Sequence, residues 1–307
     1  MAQAFDDMPD SECNPLIGVL TVTWNRKQDV LECIESVLRS AYPRLAVYVV
    51  DNASTDGSSQ AIAEKYPDVH LIRSEENLGF AGGNNLGMAR MLDDGADAVF
   101  LINDDAIVAE DALDCLVRGL QDPAVGVLAP KVLVHGEPGM IWSAGGRIDS
   151  KTGVSVQRRC GEPDRGQADE PAEVDYAVGC AMLVRADAVR RVGFMDPRYF
   201  MYYEEADWCR RIRQAGYRIL YVPRSRVRHK VTPGGRNHAA YYFSRNRLLY
   251  LKSGGLSAGR IAWIAVSDIL RSAAAHAVKG RARECRLMIR GVVDYYAKTF
   301  GEFRDGS

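Results

Sequence analysis

The sequence predicts an α/β fold, a mostly parallel sheet flanked by helices, followed by a helical C-terminal extension. Three observations carry this reading. Apolar strand-like runs alternate with helix-period segments through the first 130 residues, several of those runs end in polar residues, and after residue 238 apolar side chains recur at helical spacings beside Arg and Lys.

Taken in order, IGVLTVTW at 17–24 reads as the first strand and the segment near 28–40 as the first helix. AVYVVD at 46–51, VHLIR at 69–73 and AVFLIND at 98–104 continue the strands, with helix-period segments near 56–66, 79–93 and 109–120 between and after them. Such a βαβ series closes into an open parallel sheet, and ligands of these sheets sit at the carboxyl ends of the strands. From about 126 to 186 the pattern changes to short strands with Gly/Pro punctuation, and EPDRGQADEPAE at 162–173 reads as an exposed loop. A carboxylate-rich helix begins near Tyr203, a strand pair follows at 218–222 and 226–230, and the remainder is predominantly helical.

A chain of 307 residues with 47% hydrophobic content can bury one substantial core, and 26% charged residues exclude a disordered or membrane-embedded class. The net charge of −1 hides an asymmetry. Residues 224–307 hold 17 Lys and Arg against five acids, leaving 22 against 35 in the rest. The basic part therefore calls for an anionic partner, phosphate groups or a lipid surface, and no nucleic acid is expected. The 7 cysteines show no C-x-x-C spacing, which fits a reducing cytosol. The acidic N-terminus lacks the apolar region of a signal peptide, and the longest apolar candidate near the C-terminus is IAWIAV at 261–266, so no bilayer-spanning segment is expected.

Several segments carry chemistry. LINDDAIV at 101–108 ends a strand in Asn103, Asp104 and Asp105. Adjacent carboxylates repel one another unless solvated or bound to a cation, which points to a divalent metal; capping of the next helix by Asp105 is the alternative. VVDNASTDGSS at 49–59 ends a strand in Asp51 and Asn52, where Asp51 can accept hydrogen bonds from a base or ribose, or else close an Asx turn. Thr23 and Asn25 follow the first strand. NLGFAGGNN at 77–85, with Asn77, Gly79 and Asn84, allows close backbone approach to a ligand and a helix N-terminus for diphosphate, or is simply a turn. It is not the dinucleotide fingerprint G-x-G-x-x-G. FMYYEEADWCRRIRQAGYRI at 200–219 puts Glu204, Glu205 and Asp207 beside Tyr203 and Trp208, a sugar-binding combination with a carboxylate able to remove a hydroxyl proton. Pairing of Asp207 with Arg211 is the structural alternative. RVRHKVTPGGRN at 226–237 sets His229 between Arg228 and Lys230, a basic setting suited to a diphosphate leaving group.

In this order these segments resemble the family 2 glycosyltransferases, particularly their bacterial rhamnosyltransferase-like branch, over about residues 17–252. The resemblance implies a GT-A fold that moves a sugar with inversion from a nucleotide-diphosphate donor, dTDP-rhamnose or a UDP-sugar, to a glycan or lipid-linked acceptor in cell-surface polysaccharide synthesis. It assigns Thr23, Asn25, Asp51, Asn52, Asn77, Gly79, Asn84, Asn103 and Asp104 to the donor nucleotide. Asp105 matches the last acid of the D-x-D metal motif, whose first acid is Asn103 here, and His229 matches a histidine that completes the shell of a Mn²⁺ or Mg²⁺ ion. The catalytic base falls at the Glu204-Glu205 pair, with Glu205 the first choice and Asp207 a scaffold or acceptor contact. Arg228, Lys230, Gly179, Trp208 and Tyr203 are left for the diphosphate and acceptor.

The expected division is a disordered tail at 1–15, a catalytic domain at 16–237 split at 130 into donor and acceptor halves, and a basic amphipathic helical region at 238–307. That last region reads either as a platform on the inner face of the cytoplasmic membrane or as ordinary helix packing or a homodimer contact. A sugar-phosphate nucleotidyltransferase should carry a glycine-rich triphosphate loop after the first strand, where TVTWNRKQDV has Arg26 and Lys27 but no glycine. A non-catalytic carbohydrate- or nucleotide-binding module could dispense with Asp105, Glu205 and His229.

Overall fold

The computed structural model describes residues 14–137, 139–230 and 238–304. Its first half alternates β1 (Ile17–Thr23), α1 (Lys27–Leu38), β2 (Leu45–Asn52), α2 (Ser58–Lys65), β3 (His70–Ser74), α3 (Gly79–Asp93), β4 (Ala98–Asn103), β5 (Ala106–Val108) and α4 (Ala112–Arg118). The second half adds β6 (Val125–Val134), β7 (Ile141–Ser143), β8 (Gly146–Ile148), β9 (Ser155–Gln157), β10 (Ala172–Glu173), β11 (Ala181–Arg185), α5 (Ala186–Val192), α6 (Glu204–Gln214) and β12 (Arg218–His229). The C-terminal helices are α7 (Ala239–Ser253), α8 (Ala258–Ile264), α9 (Arg271–Val278) and α10 (Ala282–Ala297).

The main sheet runs β10-β12-β6-β11-β4-β1-β2-β3, with β5 paired to β12 and β7 to β6. β4, β1, β2 and β3 are parallel, β12 is parallel to β6, and β11 enters antiparallel between β4 and β6. A small separate ribbon, β8 with β9, stands beside it. The strand pair expected at 218–230 is one strand, β12, whose register against β6 shifts between Val222 and Arg226. Pro223 lies in that gap; without an N–H to donate it breaks the ladder locally, and the strand bends there instead of ending.

Helix α3 lies directly on β1 because both present glycine. A Cβ at Gly87 would stand 2.4 Å from Leu20, one at Gly83 2.6 Å from Val22, and one at Gly18 of β1 2.3 Å from Met91. The sheet's carboxyl edge and the N-terminus of α3 are thereby brought together.

The C-terminal region is less separable than its sequence implies. Leu249 and Tyr250 of α7 belong to the main core, while Leu248 and Leu251 join Ile261, Ile264, Ile269 and Val292 in a second cluster. The expected boundaries at 15 and 237 adjoin or lie outside the described residues, but α7 packs as part of the catalytic body. Through Ala265–Leu270, α8 continues into α9 as one apolar helical run of 21 residues, Ala258–Val278, most of it not buried. By length and composition this run could cross a membrane, contrary to the expectation of no such segment. The apolar string IAWIAV is short, but the few charges after it do not interrupt the helix.

Candidate functional site

The parallel register sets Thr23 beside Asp51 and Val22 beside Asn103, so the donor-side candidates end neighbouring strands at one edge of the sheet. The Thr23 hydroxyl is buried there without a hydrogen-bond partner. Asp51 is also buried, but its Oδ1 accepts from the Ser54 N–H at 2.9 Å and its Oδ2 from the Ser59 hydroxyl, the Asx-turn alternative. Asn25, at φ 53°, accepts from the Thr55 N–H at 2.7 Å while its own N–H donates to Ser54 Oγ at 2.9 Å, which latches the two loops.

The NLGFAGGNN segment departs from its expected role. The Phe200 carbonyl accepts from the N–H groups of Phe80 at 2.7 Å and Ala81 at 3.2 Å, so the start of α3 is capped by the protein and is not open to diphosphate. Gly79 sits at φ +70°, where a Cβ would stand 2.6 Å from that same carbonyl oxygen. Asn77 Oδ1 accepts from the Gly79 N–H at 3.0 Å, Asn52 Nδ2 donates to the Gly79 carbonyl at 3.0 Å, and Asn84 Nδ2 donates to the Phe80 carbonyl at 2.8 Å. These residues shape the helix start; only Asn52 Oδ1 remains buried and unpartnered.

Beside this edge opens a cavity of about 430 Å³. Asn103, Asp105, His229 and Lys230 line one side, Gly179, Tyr203, Glu204 and Glu205 another, and Phe80, Trp142, Tyr176 and Phe243 supply aromatic walls. His229 reaches Asp105 through the β5–β12 ladder, in which it pairs with Ala106. Its Nε2 lies 3.0 Å from Asp105 Oδ1, yet neither ring nitrogen makes a well-aligned hydrogen bond although both are buried. Arg26 bonds to Asp105 Oδ2 and reaches Asp104 Oδ1 at 3.4 Å. Burial alone would raise the Asp105 pKa; the His229 contact and the Arg26 guanidinium outweigh it and hold the carboxyl well below the usual range. An imidazole nitrogen and a firmly ionised carboxylate oxygen 3.0 Å apart supply two donors of the kind a divalent cation takes. No group of three or more His, Cys, Asp or Glu side chains able to hold an ion forms among the described residues. An ion here would complete its shell from phosphate or water.

Glu205 Oε2 is buried with no hydrogen-bond partner. Burial raises the Glu205 pKa, only partly offset by N–H groups of the backbone at Glu205, Ala206 and Gly179. The loop that delivers it is strained: Phe200, Tyr202 and Tyr203 have φ of 66°, 66° and 74°, in the left-handed region that such bulky residues avoid. Gly179 faces this loop, where a Cβ would stand 3.8 Å from Glu205 Cβ and 3.2 Å from the Phe80 ring.

Three of the candidates for the base, the diphosphate and the acceptor do not line the cavity. Asp207 is buried in ion pairs with Arg210 and Arg211, the latter at 3.0 Å, and does not line the cavity. Trp208 is fully buried, its Nε1 donating to the Gly193 carbonyl at 2.8 Å, because its position on α6 turns it into the core. Arg228 is exposed, since alternation along β12 sends it to the opposite face from its cavity-lining neighbour His229. Lys230 lines the cavity, but its ammonium is held by Asp29 at 2.8 Å and Glu32 at 2.5 Å.

A family model described as glycosyl transferase family 2 matches residues 18–193, more than half of the chain. The chain belongs to this family. This glycosyltransferase is 27% identical over 257 residues to the N-acetylglucosaminyl-diphospho-decaprenol L-rhamnosyltransferase of Mycobacterium tuberculosis, covering 77% of the present chain and 83% of that protein. Its fold matches the mannosyltransferase PcManGT of Pyrobaculum calidifontis in complex with GDP-Man and Mn²⁺ (TM-score 0.58, 19% identity, 97% of this chain and 88% of that one). It also matches GalNAc-T7 with UDP, GalNAc and Mn²⁺ (TM-score 0.59, 18% identity, 75% of this chain), of whose length it spans 48%. The fold is GT-A, and the enzyme is a glycosyltransferase that uses a nucleotide-sugar donor.

Sequence reading of this glycosyltransferase missed several cavity residues. Trp142, Ser155 and Gln157 come from the short strands β7 and β9, where the only signal was turn punctuation. Arg26 was visible as a basic residue after the first strand, but nothing in the sequence paired it with residues 104 and 105, which are 78 and 79 positions away.

Proposed function

We propose that the enzyme transfers a sugar, with inversion at the anomeric carbon, from a nucleoside-diphosphate donor to a hydroxyl of a glycan or lipid-linked acceptor, with Glu205 as general base. The observation that carries this reading is the Glu205 carboxylate, desolvated and with Oε2 unpartnered at the wall of the cavity. Gln157 Oε1 is likewise buried without a partner on the same cavity. Two acceptor atoms in need of donors, set among aromatic rings, suit a polyhydroxylated ligand whose apolar C–H faces pack on the rings.

In the proposed reaction Glu205 accepts the proton of the acceptor hydroxyl as the oxygen attacks the anomeric carbon and the bond to the nucleoside diphosphate breaks. A carboxylate whose pKa is raised holds that proton more readily than an exposed one. Thr23, Asn103 and Asp51 would orient the base and ribose from the sheet edge, and Arg26 would offset charge on the departing diphosphate. Asp105 and His229 would hold a Mn²⁺ or Mg²⁺ ion, whose chemistry when bound is Lewis-acid stabilisation of that diphosphate. The similarity to a rhamnosyltransferase makes dTDP-rhamnose the first donor to try, with UDP-sugars next. The basic C-terminal helices would rest on an anionic membrane, where a lipid-linked acceptor resides.

The test is Glu205→Gln assayed with dTDP-rhamnose and with UDP-N-acetylglucosamine in Mn²⁺. Turnover should fall roughly 10²-fold or more with nucleotide affinity retained. Turnover close to wild type rejects the base.

A further inference from the structure

The strained loop before Glu205 is held from one side by adjacent residues of α7. Asn246 and Arg245 are both 0% exposed, although each is polar and one carries a charge. Asn246 Nδ2 donates to the carbonyls of Tyr199 at 2.9 Å, Met201 at 2.8 Å and Tyr202 at 2.9 Å. An amide nitrogen has two hydrogens, so these carbonyls share them. Arg245 Nε donates to Asn246 Oδ1 at 2.9 Å, which fixes the end of the amide that faces the loop. The same guanidinium donates to the carbonyls of Tyr199 at 2.9 Å, Arg198 at 3.2 Å and Gly301 at 2.8 Å. Tyr241 and Tyr242 stack within 5.1 Å and 5.2 Å of it.

The geometry explains the unusual dihedral angles. Carbonyls 199, 201 and 202 turn towards Asn246, whereas carbonyl 200 turns away to cap α3. Carbonyls that diverge over so few residues require positive φ at Phe200 and Tyr202, and Tyr203 then enters α6 immediately before Glu204 and Glu205. Without those donors, buried carbonyls would be left unpaired and the disfavoured dihedrals would have nothing to maintain them.

We propose that Arg245 and Asn246 are positioning residues for the catalytic carboxylate, clamping the 198–203 loop so that Glu205 is presented at the cavity. The assignment rests on the reading of Glu205 as base. Neither residue lines the cavity, so neither acts on the substrate directly.

The test compares Asn246→Ala with Glu205→Gln and with Leu248→Ala, a core truncation on the same helix whose side chain packs in the second apolar cluster. Turnover per folded molecule is measured with whichever of dTDP-rhamnose and UDP-N-acetylglucosamine the wild type uses, and nucleotide affinity by calorimetry with UDP and dTDP. Asn246→Ala should lower kcat about 10-fold to 10²-fold, because small misplacement of a reacting group costs that much, with donor KM and nucleotide affinity within about 2-fold of wild type. Asn246→Gln, which keeps the amide, should recover part of the loss. Leu248→Ala should lower Tm and leave kcat unchanged. If Asn246→Ala does not fold, Asn246→Gln and Arg245→Lys are judged by the same split between kcat and KM. Unchanged kcat in the Asn246 and Arg245 variants beside an inactive Glu205→Gln overturns the clamp alone. So does a kcat loss matched by Leu248→Ala. A fully active Glu205→Gln overturns the base reading and the clamp with it.

Discussion

At the scale of single residues, the site separates two carboxylates by environment. Glu205 is desolvated and shifted upward, while Asp105 is held ionised by His229 and Arg26. The first is suited to exchanging a proton and the second to remaining charged beside a cation. A base must be deprotonated to act, so kcat should fall as pH drops through the raised pKa of Glu205. The acid limb of a kcat–pH profile should therefore lie above 4.5, the ordinary Glu value. A limb at or below that value would remove burial as the tuning force. Asp105→Ala should abolish the enhancement of UDP or dTDP binding by Mn²⁺; calorimetry with and without the ion reads this directly, and an undiminished enhancement rejects Asp105 as a ligand. Asp105, Glu205 and His229, which line one cavity, stood out in the sequence because each follows a strand or opens a helix with a distinctive polar cluster. Asp207 forms the ion pair with Arg211 that its spacing offered as the structural alternative, whereas Trp208 was misleading: a cluster gives residue types, but only the helix rotation decides which members face the cavity. Their neighbours on α6 took the site, while Asp207 and Trp208 took the ion pairs and the core.

At the scale of elements, the segment at 77–85 is a helix where one was expected, and its hydrogen bonds follow the structural-turn alternative. The helix expected at 79–93 is there, but its glycines serve packing on β1 and accommodation of the Phe200 carbonyl. A long-range contact of this kind leaves no local periodicity, so the sequence offered only the generic meaning of glycine before a helix. Gly79→Ala adds a Cβ at positive φ against a backbone oxygen, and should cost about 1–3 kcal/mol. Because that oxygen belongs to the loop that precedes the proposed base, kcat should fall together with stability. Urea unfolding and steady-state kinetics on one preparation check both, and a stability loss without any change in kcat would uncouple α3 from the loop. The β-strands were read well where apolar runs ended in polar residues. β12 was split in two because Pro223 signals an end locally, whereas the ladder on both sides of it continues.

At the scale of the whole molecule, the uneven charge coincides with uneven burial. On the Ala258–Val278 run, Trp263 is 66%, Val266 62% and Val278 89% exposed, amid the basic third of the chain. Replacing Trp263 and Val266 by Asp should reduce co-sedimentation with vesicles containing phosphatidylserine by about 10-fold or more, since each loses buried apolar area and adds repulsion. Binding by the wild type should also weaken with added salt; salt-independent, mutation-insensitive binding would dismiss the membrane platform. The charge asymmetry was plain in the sequence, but the division of labour within it was not. RNR at 245–247 reads as one more basic stretch of an amphipathic helix, and only tertiary packing turns Arg245 and Asn246 inward. Their position in the chain has a consequence for biosynthesis. The carbonyls that Asn246 gathers lie 44–47 residues before it, so a chain made from its N-terminus emerges with a sheet edge complete and the loop before Glu205 still unsupported. A chain that stops short of that helix lacks the clamp and also Leu249 and Tyr250 of the main core, so full turnover waits for translation to deliver α7.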